Sequence, residues 1–250
     1  SFSGPNDIMF AMGKEVRAMS IEWVQTVFAE YHSQVTSLSY LGMGLVLAGF
    51  EDTSMRVVDS RTADTLIAVV PQLSVASLVD AILSPWRSEL YTLLSDGQIH
   101  VWELEVAKLP KLCNVINPER RLRISCMALL EGGLLNPQAG MELGLDVSPQ
   151  GMVSDHLVVG TGEGDVQFLD LDRGGAVICR VPISKVEGVV MVAVDPLRAR
   201  LVAVCSNTLT IWSLMRLSSP VKELKFPAAL GRMAIAVGRV YITTGSGSIK

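Results

Sequence analysis

One pattern recurs along the chain: an alternating apolar segment, a tight polar turn, and a second alternating segment closed by an aromatic or aliphatic residue. It is clearest in "SELYTLLSDGQIHVWEL". There Leu90, Thr92 and Leu94 alternate with Tyr91 and Leu93, and Ile99, Val101 and Trp102 follow the turn "SDGQ". A period of two is the signature of a strand with two unlike faces, and two such runs around Asp-Gly make a hairpin. The sketch returns at "GLVLAGFEDTSMRVVDS", "DHLVVGTGEGDVQFLDL" and "ARLVAVCSNTLTIWSL", more weakly at "DIMFAMGKEVRAM", and in part at "GRVYITTGSGSIK". The residue closing the second strand is Met19, Val58, Trp102, Leu169 and Trp212 in turn. The intervals are therefore 39, 44, 67 and 43 residues. Three intervals near forty and one longer by about 25 describe an array of like units with a single insertion.

The stretches between hairpins supply more strands. Ahead of the hairpins lie "QVTSLSYL", "VASLVDAIL", "RISCMALL" and "GVVMVAVDP"; after them come outer strands such as "TLIAVV", "AVICRV" and "PVKELKF". Four strands per unit with short connections leave no room for βαβ crossovers, and units of about 40 to 45 residues with four strands are propeller blades. The expected fold is all-β, with a partial blade at 1–33, blades at 34–72, 73–118, 119–184 (carrying the insertion) and 185–222, and a partial blade at 223–250. Six hairpins with incomplete first and last members predict part of a seven-bladed ring or of a longer chain, because an open end would expose apolar face and strand edge. "KEVRAMSIEWVQTVFAEY" also fits a helix, since Val16, Met19, Trp23, Val27 and Tyr31 follow helical spacing. The register of Met19 with the repeat favours strands.

Composition narrows the function classes. The chain is 49% hydrophobic and 18% charged, which suits a core-rich folded protein. No apolar run reaches the roughly 18 to 20 residues of a membrane span. Net charge is −4, and the densest basic cluster is "PERRLR" with Arg120, Arg121 and Arg123, narrower than a nucleic-acid footprint. Cys113, Cys126, Cys179 and Cys205 stand far apart with no C-x-x-C pair, as core thiols of a reducing compartment do.

Candidate chemistry is sparse. "GTGEGDV" has the spacing G-x-G-x-G and runs into an alternating strand, whereas a dinucleotide loop needs G-x-G-x-x-G opening a helix. "DLDRGG" has Gly174 where a calcium loop needs an oxygen ligand, and reads as the connection between third and fourth strands. His32, His100 and His156 are dispersed, and His100 alternates with Ile99 and Val101 as a sheet residue does. No cofactor, metal or catalytic constellation emerges. The inner strands that would line a ligand-binding channel, such as "MVAV" and "SLVDAIL", are apolar except for Asp80. The insertion "LLEGGLLNPQAGMELGLDVSPQGMVSD" lies between first and second strands of its blade, and Leu134, Met141, Leu143 and Leu145 give it apolar residues for a partner.

The unit "VASLVDAILSPWRSELYTLLSDGQIHVWEL" resembles a WD40 blade, with Ser84-Pro85 after its first strand, the turn Ser95-Asp96-Gly97, and Trp102-Glu103 in place of Trp-Asp. The resemblance covers nearly the whole chain with degenerate motifs: Trp102 and Trp212 keep the tryptophan, Met19, Val58 and Leu169 replace it, and His32 is the one candidate for the Gly-His histidine. It implies that the turn aspartates Asp52, Asp96 and Asp165 bond within or between blades, and that Asn207 departs from this. It also implies a non-enzymatic scaffold binding other protein subunits in a large intracellular assembly. The phrases "LYTLLSDGQIHVWEL" and "HLVVGTGEGDVQFLDL" resemble the multi-propeller proteins of the ciliary axoneme. Vesicle-coat, nuclear-pore and ubiquitin-ligase adaptor propellers are alternatives, and an RNA-binding propeller is another.

Overall fold

The structure, a computed structural model, describes residues 8–244 except 13, 20–24, 43, 53, 61, 63, 70–75, 85, 105–109, 118–121, 135–136, 143, 145–152 and 237–238. The chain divides into two compact units, residues 1–115 and 116–250. In the first, β1 (Ile8–Met12), β2 (Glu15–Met19) and β3 (Gln25–Glu30) form one sheet. A second holds β4 (Val35–Gly42), β5 (Leu45–Phe50), β6 (Met55–Asp59) and β7 (Thr65–Val69). The third holds β8 (Leu78–Ser84), β9 (Glu89–Leu94), β10 (Ile99–Glu103) and β11 (Lys111–Ile116). The second unit begins with β12 (Ile124–Leu130), β13 (His156–Thr161), β14 (Asp165–Asp170) and β15 (Ala176–Pro182). Then come β16 (Met191–Asp195), β17 (Arg200–Cys205), β18 (Thr208–Ser213) and β19 (Lys222–Lys225), and finally the pair β20 (Leu230–Ala236) and β21 (Arg239–Thr244). In every sheet the strands pair in chain order.

The register repeats as faithfully as the sequence spacing. Val58, Trp102, Leu169 and Trp212 pair with Val46, Leu90, Leu157 and Leu201, and Met19 pairs with Ile8. Middle strands are buried on both faces: β13 and β14 are buried at every residue, whereas all of β19 is exposed. A strand buried on both faces needs consecutive apolar residues, and an exposed edge strand does not. The stretch with helical spacing forms β2 and β3, because tertiary pairing overrides a short periodic pattern. β19 extends to Lys225, past the blade boundary expected at 222. The first half of the sixth hairpin is β21, paired with β20, and its second half lies outside the described residues. The insertion separates β12 from β13 and carries a single 3-10 turn, Gly132–Leu134, and a short helix α1 (Pro137–Glu142).

In each unit a glycine marks a close approach of successive sheets. Gly49 on β5 and Gly160 on β13 occupy the same position in their blades. A Cβ on Gly49 would lie 2.5 Å from Ser37 Oγ and 2.8 Å from Leu78 of the next sheet. A Cβ on Gly160 would lie 2.5 Å from Cys126 Sγ and 2.7 Å from Val189 just ahead of β16. Gly160→Ala is expected to destabilise the protein by about 1–3 kcal/mol through overpacking. Urea unfolding monitored by tryptophan fluorescence checks this; an unchanged midpoint would refute the close approach.

Candidate functional site

The polar residues singled out by the repeat divide into satisfied and unsatisfied sets. Trp102 is buried among Leu41, Leu47, Met55 and Val57 of the preceding sheet, and its Nε1 donates to Thr92 Oγ1 on β9 at 2.9 Å. Trp212 is buried against Val158, Val166 and Phe168, yet its Nε1 has no hydrogen-bond partner. Register supplies the reason. Thr92 lies two residues beyond Leu90, the partner of Trp102; the matching residue beyond Leu201, the partner of Trp212, is Ala203. Where the tryptophan is lost, both positions are apolar: Ala48 with Val58, and Val159 with Leu169. Deleting a buried donor and its acceptor together costs little, whereas deleting the acceptor alone strands an N–H.

The aspartates do not form one class. Asp52 and Asp96 sit in equivalent turns, where Oδ1 accepts from the backbone N of Ser54 (3.0 Å) and of Gln98 (3.1 Å) respectively. The Ser54 hydroxyl also donates to Asp52 and, with that backbone bond, holds the carboxyl below its ordinary value. Asp165 is not a turn residue of this kind. It opens β14, where Ser54 and Gln98 stand in their blades, because Glu163 takes the place of Asp96. Buried there, Asp165 bonds to Thr161 Oγ1, the Arg180 guanidinium and Gln167 Nε2 (2.9 Å). His32 is exposed after β3, and its neighbour Ser33 accepts from Asp52 N at 3.3 Å. Asn207, in a two-residue turn between β17 and β18, donates to Phe226 O at 3.1 Å.

His100 and His156 are buried, and burial lowers the pKa of each. Asp96 opposes this at His100; the Ser154 carbonyl and three aspartates oppose it at His156. His156 Nδ1 lies 2.7 Å from Ser154 O, so the neutral imidazole carries its proton there. Asp80 accepts from Ser39 Oγ on β4 (3.2 Å) and from Ala81 N (2.8 Å), which ties neighbouring first strands together. Asp170 caps its own turn, accepting from the backbone of Asp172 and Arg173, as a β14–β15 connection requires. Among the described residues no group of three or more His, Cys, Asp or Glu could hold a metal ion.

Of the insertion residues, Leu134 ends the 3-10 turn and Met141, in α1, is exposed; Leu143 and Leu145 lie outside the described residues. Arg120 and Arg121 also lie outside them, and Arg123 is exposed. Among the described residues, the most exposed tryptophan lies outside the strand pattern. Trp86, in the β8–β9 loop, is 85% exposed, and Leu197, in the β16–β17 loop, is 80% exposed. The loops are equivalent: Ser84 pairs with Glu89 and Asp195 with Arg200. Ser88 and Ala199 both adopt positive φ, and their carbonyls accept from Leu104 and Leu214, each at 2.8 Å. The shared pattern Pro-apolar-Arg, in "SPWRSE" and "DPLRAR", was the visible signal.

No family model matches the chain, and no curated protein matches it. Solved structures do. The WD40 β-propeller domain of Doa1 is 15% identical with a TM-score of 0.70, over 98% of this chain and 73% of that one. A chain of the mitotic checkpoint complex is 14% identical with a TM-score of 0.67, over 98% and 72%. The β-propeller domain of Cps50 (Swd1) from Myceliophteria thermophila is 12% identical with a TM-score of 0.60, over 98% and 88%. These likenesses and the repeated four-stranded sheets define a WD40 β-propeller fold. No helix among the described residues is long and apolar enough to cross a membrane.

Two outcomes follow from the buried polar groups. Ala203→Ser, which places a hydroxyl opposite the Trp212 N–H, is expected to raise stability by about 1 kcal/mol, while Thr92→Val lowers it by about 1–3 kcal/mol. Paired urea denaturation curves check both signs. The histidines predict acid sensitivity. A lowered folded pKa means the unfolded chain binds more protons between that value and the unfolded value near 6.5. The contribution is complete above about 6.5 and is lost as pH falls through the folded value. His156→Asn, which cannot titrate, should flatten this slope in unfolding measurements on either side of that window.

Proposed function

We propose that this protein is a non-enzymatic interaction scaffold that binds other protein subunits within a large assembly. The observation that carries the reading is the pair of equivalent loops, each tied by a backbone hydrogen bond, that present Trp86 and Leu197 to solvent. A large apolar side chain at the tip of a loop closed by fixed backbone bonds gains nothing from folding, and it has the form of an interface hot spot with little ordering entropy to lose. The same position is used in two blades, so the feature belongs to the repeat's design. Asp80, the ionisable residue within "SLVDAIL", is engaged by Ser39 and Ala81, which supports a structural role over a catalytic one. One of the similar structures is itself of a multiprotein complex. Within this class we place the protein in an assembly of the ciliary axoneme, on the resemblance of its "LYTLLSDGQIHVWEL" and "HLVVGTGEGDVQFLDL" segments alone.

The test is sedimentation of the tagged chain in extracts of its own cells, with Trp86→Ser and Leu197→Ser variants whose thermal unfolding matches wild type. Wild type is expected to travel with a large complex, and the double variant to shift toward the free chain. A wild-type chain that sediments alone, or a double variant that does not shift, would overturn the scaffold reading. Imaging of the tagged chain in ciliated cells decides the axoneme assignment; signal at coat vesicles or the nuclear envelope would replace it.

A further inference from the structure

We infer that the β16–β19 sheet carries a docking site for a short acidic segment of a protein partner, anchored by an apolar residue, at the end where β16 turns into β17. The inference rests on the scaffold reading and adds the chemistry of a partner to it. Leu197 is the apolar half of the site. Asp195 Oδ1 accepts from Arg198 N at 3.2 Å and caps the single 3-10 turn Pro196–Arg198, while Ala199, at φ 47°, turns the chain back into β17. Leu197 is thus held at the apex of a fixed loop. Val221, just ahead of β19 and also exposed, is a second apolar residue of the same sheet.

The charged half surrounds it. Arg200 pairs with Ser213 on β18, and Ser213 in turn bridges to Arg216, so Arg198, Arg200 and Arg216 converge on one end of the sheet; all three are exposed. Residues 195–200 and 213–222 carry Arg198, Arg200, Arg216 and Lys222 against one carboxylate, Asp195, while Glu131 and Asp155 flank the 3-10 turn Gly132–Leu134 that packs beside the Pro196–Arg198 turn, so the cations still outnumber the carboxylates here. Asp195 is already committed to the Arg198 backbone and, at 3.4 Å, to Arg198 Nη1. Arg216 gives its Nε to Ser218 Oγ at 3.2 Å and keeps its terminal guanidinium nitrogens for another acceptor. The net positive end stands in a chain of net charge −4, so it selects for anions against the rest of the surface. Planar guanidinium forks suit carboxylates. The two segments offer no exposed aromatic on which a base could stack, and their central feature is an aliphatic side chain, which favours a peptide over a nucleic acid.

The test uses the full chain and a displayed library of random dodecapeptides. Selected peptides are expected to carry Asp or Glu on both sides of a Leu, Ile, Met or Phe. A fluorescein-labelled synthetic copy of the best one should lose at least about tenfold in affinity for Arg198→Gln/Arg200→Gln/Arg216→Gln and for Leu197→Ser, and should weaken as salt is raised. Val186→Ser, in the exposed β15–β16 connection at the other end of β16, serves as the folded control and should bind unchanged. Three results would sink the site: enriched peptides without acidic residues, equal binding to the triple variant, or an oligouridylate of equal charge competing with equal affinity. If the peptide result fails while the wild-type chain still sediments in a large complex, this site falls and the scaffold reading stands; a chain that sediments alone removes the scaffold reading itself.

Discussion

Within each unit, the packing of one sheet's apolar face on the next is the interaction on which the rest of the structure depends. In the first unit Leu47, Met55 and Val57 meet Leu78, Ala81, Leu90 and Trp102. In the second, Val158, Val166 and Phe168 meet Val192, Leu201 and Trp212. A lone four-stranded meander with both faces apolar has no stable state in water, so each blade is stabilised by its neighbours. That is why the middle strands carry consecutive apolar residues, and why Gly49 and Gly160 stand where the next sheet approaches closely.

The same interface explains how the repeat tolerates its own decay. The tryptophan of a blade brings a buried N–H into an apolar contact, and that N–H needs an acceptor. Trp102 finds it in Thr92; two other blades have dropped donor and acceptor together, leaving only apolar packing at Val58 and Leu169. Trp212 has kept the donor without the acceptor and bears the cost of desolvation. Degenerate motifs therefore coexist with an intact fold, because packing carries most of the stabilisation and the polar pair adds a net hydrogen bond of about 1 kcal/mol.

The strands were legible because a period of two needs only a few residues to declare itself. The hairpins around "SDGQ" and "GTGEGDV", the outer strands, and the place of the insertion could all be read off the chain. Helical spacing in 14–31 competed with the repeat and lost to strand pairing of β2 with β1 and β3. The resemblance to WD40 blades made Asp165 a third turn aspartate; its register, shifted by two residues, puts its buried carboxylate against Thr161, Gln167 and Arg180. Trp86 and Leu197 share the pattern Pro-apolar-Arg in "SPWRSE" and "DPLRAR", but an apolar residue in a turn reads the same whether its side chain packs down or stands in solvent, so their exposure is a tertiary property.

By itself, then, the sequence determined the all-β class, the length of the unit and the pairing of strands within each blade, since alternation and turn chemistry are local properties. Only the tertiary structure decided which buried polar atoms find partners, as with Trp102 and Trp212. It also decided which arginines gather around Leu197, and that burial lowers the pKa of His156. Those facts depend on the distance between residues far apart in the chain, and no local periodicity encodes that distance.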